Sequence, residues 1–302
     1  MAILDQIPRN GRILVIRIRS LGDCVLTTPA LRILKAARPD CHVGVVVESR
    51  FHDLFTENPD IDYLLEPEYL AVVRFDADLC LNLHGGIRSL ALTIASGARW
   101  RAGFGHFKGT WVYNVLIPRA QQILGEERTV HTAEHLASAM FHLGALKQDI
   151  PRARLFARPE QTAQPYAVLH AMASAPEKTW PAERFLKIAH HLQKAMGLDP
   201  VFIGAAMDDL SPFSSFRCVQ GASLQQVQSL LAGASLFIGN DSGPAHMAAA
   251  FGLPVVVLFG SSDPVVWAPW KTVSEVLVAR DSIARVTLEE VIAALERLKV
   301  KV

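Results

Sequence analysis

Neither sign of charge dominates this chain of 302 residues: 30 Lys and Arg stand against 29 Asp and Glu, a formal net charge of +1. That balance argues against a nucleic-acid binder that works by bulk charge, so an anionic ligand has to be met by a local arrangement. Long apolar runs are also missing. The most apolar stretch, "LPVVVLFG", falls far short of the ~20 residues that a membrane-crossing helix needs. The opening "MAILDQIPRNGR" lacks a cationic start followed by an apolar core, so no secretory leader and a cytoplasmic location are expected. Only four cysteines occur, Cys24, Cys41, Cys80 and Cys218, and none forms a C-x-x-C pair. That scatter argues against a zinc site or a disulfide framework and reads as free thiols in a reducing compartment. Solenoid-length repeats and low-complexity tracts are absent too.

What is present is alternation. "RILVIRI", "HVGVVVES", "IDYLLEP" and "ADLCLNLHGG" read as strands, interleaved with helical runs such as "CVLTTPALRILKAARP" and "IRSLALTIASG". The stretch from about Phe107 to Thr129 shows no clear period, and "HTAEHLASAMFHLGAL" then closes the first half as an amphipathic helix. "PRARLFARPEQTAQP" has the proline and charge content of a connector, after which the alternation restarts. The expectation is an α/β chain of two Rossmann-like, doubly wound domains facing across a cleft, 1–155 and 156–302.

"FIGNDSGPAHMAAAFGLPVVVLFGSSDP" is the most informative stretch. Two apolar strands enclose a polar turn and a short helix, with Asp241 or Ser242 placed to cap it, Pro244 in its first turn and Gly252 at its end. A helix that opens at the carboxyl end of a strand points free N–H groups and its positive dipole end at a ligand. The turn therefore reads as an anion cradle built on Ser242, Gly243 and His246. His246 is either a structural hydrogen-bonder or a phosphate donor, and we read it as the latter. Asp241 repels phosphate, which suits a helix cap or an acceptor for sugar hydroxyls. In "HAMASAPEKTWPAERF", Lys178 offers a mobile cation for a diphosphate, while Ser174 and Thr179 add hydroxyls. The alternative for Lys178 is a solvated surface lysine; Trp180 reads as packing.

In the first half, "RSLGDCVLTTPAL" puts Asp23 at a strand-to-helix turn. It is either a helix cap or a general base for a substrate hydroxyl. Pro29 leaves two starts open for that helix, one at Thr28–Pro29 and one before Asp23. Two D-x-D runs, Asp60 to Asp62 and Asp76 to Asp78, imitate a metal-binding motif but fall before or at the start of strands, and the adjacent His190 and His191 have no second ligand pair. No metal and no cofactor are expected.

"SLGDCVLTTPALRILK", "EKTWPAERF" and "GNDSGPAHMAAAFGLPVVVLFGSSDP" together resemble glycosyltransferase family 9, whose best-known members are the ADP-heptose:lipopolysaccharide heptosyltransferases, in motif order and spacing over nearly the whole chain. The resemblance implies a GT-B fold and a metal-independent, inverting transfer of heptose from ADP-heptose to a lipid-linked lipopolysaccharide core. It implies Asp23 as base, Lys178 at the donor phosphates, Ser242, Gly243 and His246 as the phosphate turn, and Asp241 facing the sugar. By the same resemblance Asp208 falls where a ribose-binding Glu is frequent, and Ala222 where the adenine pocket is expected. "HAMASAPEK" lacks the usual glycine, and Asn82 stands where Asp is frequent. The alternatives are a same-fold transferase with another nucleotide sugar or acceptor, and a catalytically silent nucleotide-sugar binder. A lipid-linked acceptor further implies peripheral contact with the inner membrane, expected where Arg99, Arg101, Lys108 and Arg119 flank "TWVYNVLIP", the alternative being a surface loop packed on its own domain.

Overall fold

The computed structural model describes residues 2–173 and 175–300. The chain divides into two compact units, Met1–Ala153 and Arg154–Val302. In the first unit the elements run β1 (Arg12–Ile16), α1 (Leu21–Ala37), β2 (His42–Val46), β3 (Tyr63–Leu65), α2 (Tyr69–Phe75), β4 (Leu79–Asn82), α3 (Ile87–Ala95), β5 (Trp100–Phe104), β6 (Val115–Ile117), α4 (Ala120–Leu124) and α5 (Thr132–Leu143). Six parallel strands lie in the order β3-β2-β1-β4-β5-β6. Winding proceeds outward from β1 to β3, then restarts beside β1 at β4. The switch point therefore lies between the carboxyl ends of β1 and β4, where an open α/β sheet leaves a crevice.

The second unit repeats the plan: β7 (Tyr166–His170), α6 (Ala182–Met196), β8 (Asp199–Gly204), β9 (Arg217–Gln220), α7 (Leu224–Gly233), β10 (Leu236–Asn240), α8 (Gly243–Phe251), β11 (Val255–Phe259), α9 (Pro264–Trp267), β12 (Ser274–Val278) and α10 (Leu288–Leu298). Its parallel order is β12-β11-β10-β7-β8-β9, with the switch point between β7 and β10. The central strands are buried on both faces, which is why "SLFIGN" and "LPVVVLF" read as continuous apolar runs. In α6, Phe185, Ile188, Ala189 and Leu192 recur at helical spacing and join the core with Trp180, as the packing reading of Trp180 expects.

Helix α1 settles the question raised by Pro29. It starts at Leu21 and runs through the proline. Pro29 has no N–H for the Val25 carbonyl, and the Thr28 hydroxyl donates to that carbonyl instead, at 2.8 Å. Asp23 accordingly sits in the first turn of α1 rather than on a preceding loop. The unread stretch 107–129 holds β6 and α4, both short. Edge strand β9 was also not legible: Arg217, Cys218 and Gln220 are exposed, so no apolar run marks it.

Candidate active site

At the first unit's switch point, three segments converge. Arg17 and Ser20 follow β1, Asp23 opens α1, and His84 follows β4. The Ser20 hydroxyl donates to Asp23 Oδ2 at 3.0 Å, and Arg17 Nη1 lies 3.4 Å from Asp23 Oδ1. Arg17 is 6% exposed, and desolvation lowers its pKa while the Asp23 charge opposes that shift. A buried guanidinium needs a counter-charge, and Asp23 supplies it. Each oxygen of the carboxylate thus has a fixed neighbour, which defines the direction of its remaining lone pairs. Behind it, burial pushes the Cys24 thiol up to about 12, so that thiol is inert. His84 is held by its own backbone: its N–H donates to Asn82 Oδ1 at 3.0 Å. Asn82 is fully buried, and its amide donates to Ser89, Thr93 and Tyr113. Burial lowers the His84 pKa, Arg17 lowers it further, and Asp23 opposes both.

The second unit's switch point carries the polar turn. Ser242 occupies the N-cap position of α8, Gly243 and Pro244 fill its first two places, and Gly252 ends it in the left-handed region (φ 82°). Of the two expected caps, Asp241 is therefore not one. Burial raises the Asp241 pKa, while a Ser262 hydrogen bond and the Lys178 charge lower it. Lys178 and Asp241 are thus electrostatic neighbours, and the cation offsets the repulsion that a lone carboxylate would exert on a phosphate. His246 is buried at 5% exposure, with its ring edge-on to Trp267 at 6.4 Å between centroids. Ser262 and Gly260 belong to the neighbouring "GSSDP" rim. A Cβ on Gly260 would stand 2.8 Å from the Glu177 carbonyl oxygen, so the close approach of that rim to the Lys178 turn requires glycine.

Asp208 Oδ2 accepts from the Ala205 N–H at 2.6 Å, which stabilises its own turn after β8, and its charge acts on His170. Ala222 follows β9 and lines a groove of about 420 Å³ with Val219, Gln225 and Gln226. It is three strands from β10, about 14 Å at the usual strand spacing. The structure thus gathers Lys178, Asp241, Ser242, Gly243 and His246 in one place and leaves Ala222 at the sheet edge. Ser174 lies outside the described residues.

Asn240, His170 and Arg17 contact these candidate residues or the loops that carry them, and have little signal in the sequence. Asn240 is fully buried; its amide donates to the Ala171 carbonyl at 2.9 Å, and its Oδ1 accepts from the Trp180 N–H at 3.1 Å. It thereby pins both ends of the loop that carries Lys178. A polar residue closing an apolar strand was the available signal. His170 lies 3.0 Å from Ser242 through its Nδ1, and Arg17 was hidden inside "RILVIRI". The D-x-D runs lie at the amino ends of strands. Asp62 Oδ2 accepts from the Val43 N–H and pairs with Lys35, while Asp78 Oδ2 accepts from the Arg12 N–H. Among the described residues no group of three or more His, Cys, Asp or Glu is placed to hold a metal ion. Nor is "TWVYNVLIP" a continuous apolar surface: Val112, Tyr113, Val115 and Ile117 are buried, and only Trp111 and Leu116 among its apolar residues are well exposed. Arg101 is committed to the carbonyls of Val112 and Ala98.

Two doubly wound parallel sheets, the second with a helix amino end and a lysine at its switch point, define a two-domain α/β protein of the GT-B class of glycosyltransferases. Residues 71–292 match the family described as "Glycosyltransferase family 9 (heptosyltransferase)", and the chain belongs to that family of glycosyltransferase enzymes. It is 27% identical over 285 residues, 82% of each chain, to lipopolysaccharide heptosyltransferase 3 of Escherichia coli K12. The crystal structure of a family 9 glycosyltransferase from Veillonella parvula superposes with a TM-score of 0.83 at 23% identity, covering 96% of this chain and 97% of that one. E. coli heptosyltransferase WaaC with ADP-2-deoxy-2-fluoro heptose superposes with a TM-score of 0.76 at 19% identity, covering 95% and 99%. No helix among the described residues is long and apolar enough to cross a membrane.

Proposed function

We propose that this enzyme transfers heptose from ADP-heptose to a lipopolysaccharide core acceptor, with inversion and without a metal ion. The observation that carries the donor assignment is the convergence of Lys178, Ser242 and Gly243 on the amino end of α8 at a sheet switch point. The names of the relatives support the sugar and the acceptor: lipopolysaccharide heptosyltransferase 3 of E. coli, and WaaC with a fluorinated ADP-heptose. In this reading residues 156–302 hold the donor and residues 1–155 receive the acceptor.

The chemistry follows from charge. Asp23 takes the proton of the acceptor hydroxyl as its oxygen attacks the anomeric carbon. The C–O bond to the diphosphate breaks on the opposite face, which inverts the centre. The negative charge that develops on the leaving ADP is met by Lys178, the α8 amides, the Ser242 hydroxyl and His246. Asp241 accepts from sugar hydroxyls, Asp208 faces the ribose and Ala222 the adenine edge. Asp62 and Asp78, one carboxylate of each D-x-D run, are spent on structure at the amino ends of strands, which favours metal-free transfer. A membrane-borne acceptor is met by peripheral contact at the cytoplasmic face of the inner membrane, supported by the exposed Arg99, Lys108 and Arg119 beside the exposed Trp111 and Leu116. Flotation with anionic vesicles, but not neutral ones, is the expected result; no flotation with either removes the membrane contact. For the function itself, a panel of nucleotide sugars is compared by thermal stability, because ligands of the native state raise the midpoint. ADP-heptose should give the largest rise, and a larger rise with a uridine or guanosine sugar would overturn the donor assignment.

A further inference from the structure

A serine at an N-cap ordinarily accepts a hydrogen bond from the second or third amide of its helix. Ser242 does not: its side chain makes no capping bond. Pro244 at the second position has no N–H, and the Ala245 N–H donates to the Ser242 carbonyl at 3.1 Å instead. The hydroxyl is directed to another strand, where Oγ lies 3.0 Å from His170 Nδ1. His170 ends β7 opposite Gly239 of β10, so this contact spans the switch point. Desolvation pushes the His170 pKa down to about 4, with the Asp208 charge opposing. The ring is therefore neutral at working pH, with one N–H and one lone pair.

We propose that His170 is a positioning residue of the donor site, whose Nδ1–H donates to Ser242 Oγ and so aims the Ser242 O–H at a diphosphate oxygen. The inference rests on the reading that this turn holds the nucleotide diphosphate. A diphosphate oxygen only accepts, so a serine serves it only when the hydroxyl hydrogen faces it. A hydroxyl with no partner rotates and spends part of its time with the hydrogen turned away. An N–H from His170 to one of the two lone pairs holds the oxygen from the side and leaves the hydrogen for the ligand. The test is ADP calorimetry on the full chain, with melting temperatures, for His170→Leu, His170→Asn, Ser242→Ala, Lys178→Ala and the double variant His170→Leu/Ser242→Ala. His170→Leu and Ser242→Ala should each weaken ADP by about 5- to 10-fold, the worth of one hydrogen bond. The double variant should be no weaker than Ser242→Ala, since both remove the same contact. His170→Asn, which can return an N–H to the Nδ1 position, should stay within about 2-fold of the parent. Losses that multiply in the double variant, or full affinity in His170→Leu, overturn the inference. Should His170→Leu fail to fold, the ¹⁵N shifts of His170 in the ADP complex decide: an Nδ1–H tautomer supports the relay, and an Nε2–H tautomer refutes it. Unchanged affinity in both Ser242→Ala and Lys178→Ala would instead mean that the donor reading itself has failed.

Discussion

Asp23→Asn separates an enzyme from a binder, and the structure changes what the substitution should cost. If Asp23 is the base, Asn keeps the shape and the Ser20 contact but cannot take the proton. General base catalysis supplies ~10²–10⁴-fold in rate, so turnover should fall by that factor. Stability should fall as well, because Arg17 is buried and loses its counter-charge. Removing one partner of a fully buried pair costs ~3–5 kcal/mol. Here the Asp23 side chain is 24% exposed and the Nη1–Oδ1 separation is 3.4 Å, so we expect ~1–3 kcal/mol. At ~2–4 °C per kcal/mol the midpoint should drop by roughly 2–12 °C. ADP affinity should hold, because Asp23 does not belong to the donor turn. Three measurements on one preparation suffice: transfer to a purified acceptor, ADP calorimetry and a thermal melt. Adding Arg17→Met removes the orphaned charge, so the double variant should melt near the parent yet remain inactive. Near-normal transfer by Asp23→Asn would refute the base assignment and return the residue to an ion-pair role. Recovery of transfer in the double variant would show that the lost rate came from the damaged site rather than from a missing base.

Lys178→Ala should weaken ADP roughly ten- to more than a hundred-fold, the worth of a charge-assisted contact of ~1.5–3 kcal/mol, and unchanged calorimetry would remove Lys178 from the site. Transfer should survive a chelator; loss on EDTA treatment restored by magnesium would contradict the structural role given to the D-x-D carboxylates. His170 titrates at about 4 in the fold against ~6.5 unfolded, so its contribution to stability is present above pH ~6.5 and is lost as pH falls toward 4. The urea midpoint should therefore fall across that window, and His170→Asn should flatten the fall; an equal slope in that variant would count against a neutral His170.

The sequence by itself determined the local frame. Short apolar runs of β-branched residues between Gly and Pro read as buried strands, and "NDSGPAHM" between two of them reads as a helix opening at a strand's carboxyl end. Those signals are local, so Lys178, Asp241, Ser242, Gly243 and Asp23 were legible as candidates. What tertiary structure alone decided was which polar groups face one another. Asn240 pins the Lys178 loop across 60 residues, His170 meets Ser242 across 72, and Arg17 takes Asp23 as the partner of its buried charge. None of these has a spacing rule, because each pairs groups brought together by sheet order rather than by helical or strand period. Tertiary contacts also chose between open readings: Ser242 rather than Asp241 stands at the N-cap position, and its hydroxyl meets His170 instead of its own helix. Strand β9 stayed hidden for the converse reason, since an exposed edge strand is held by its neighbour's hydrogen bonds and leaves no apolar pattern in the chain.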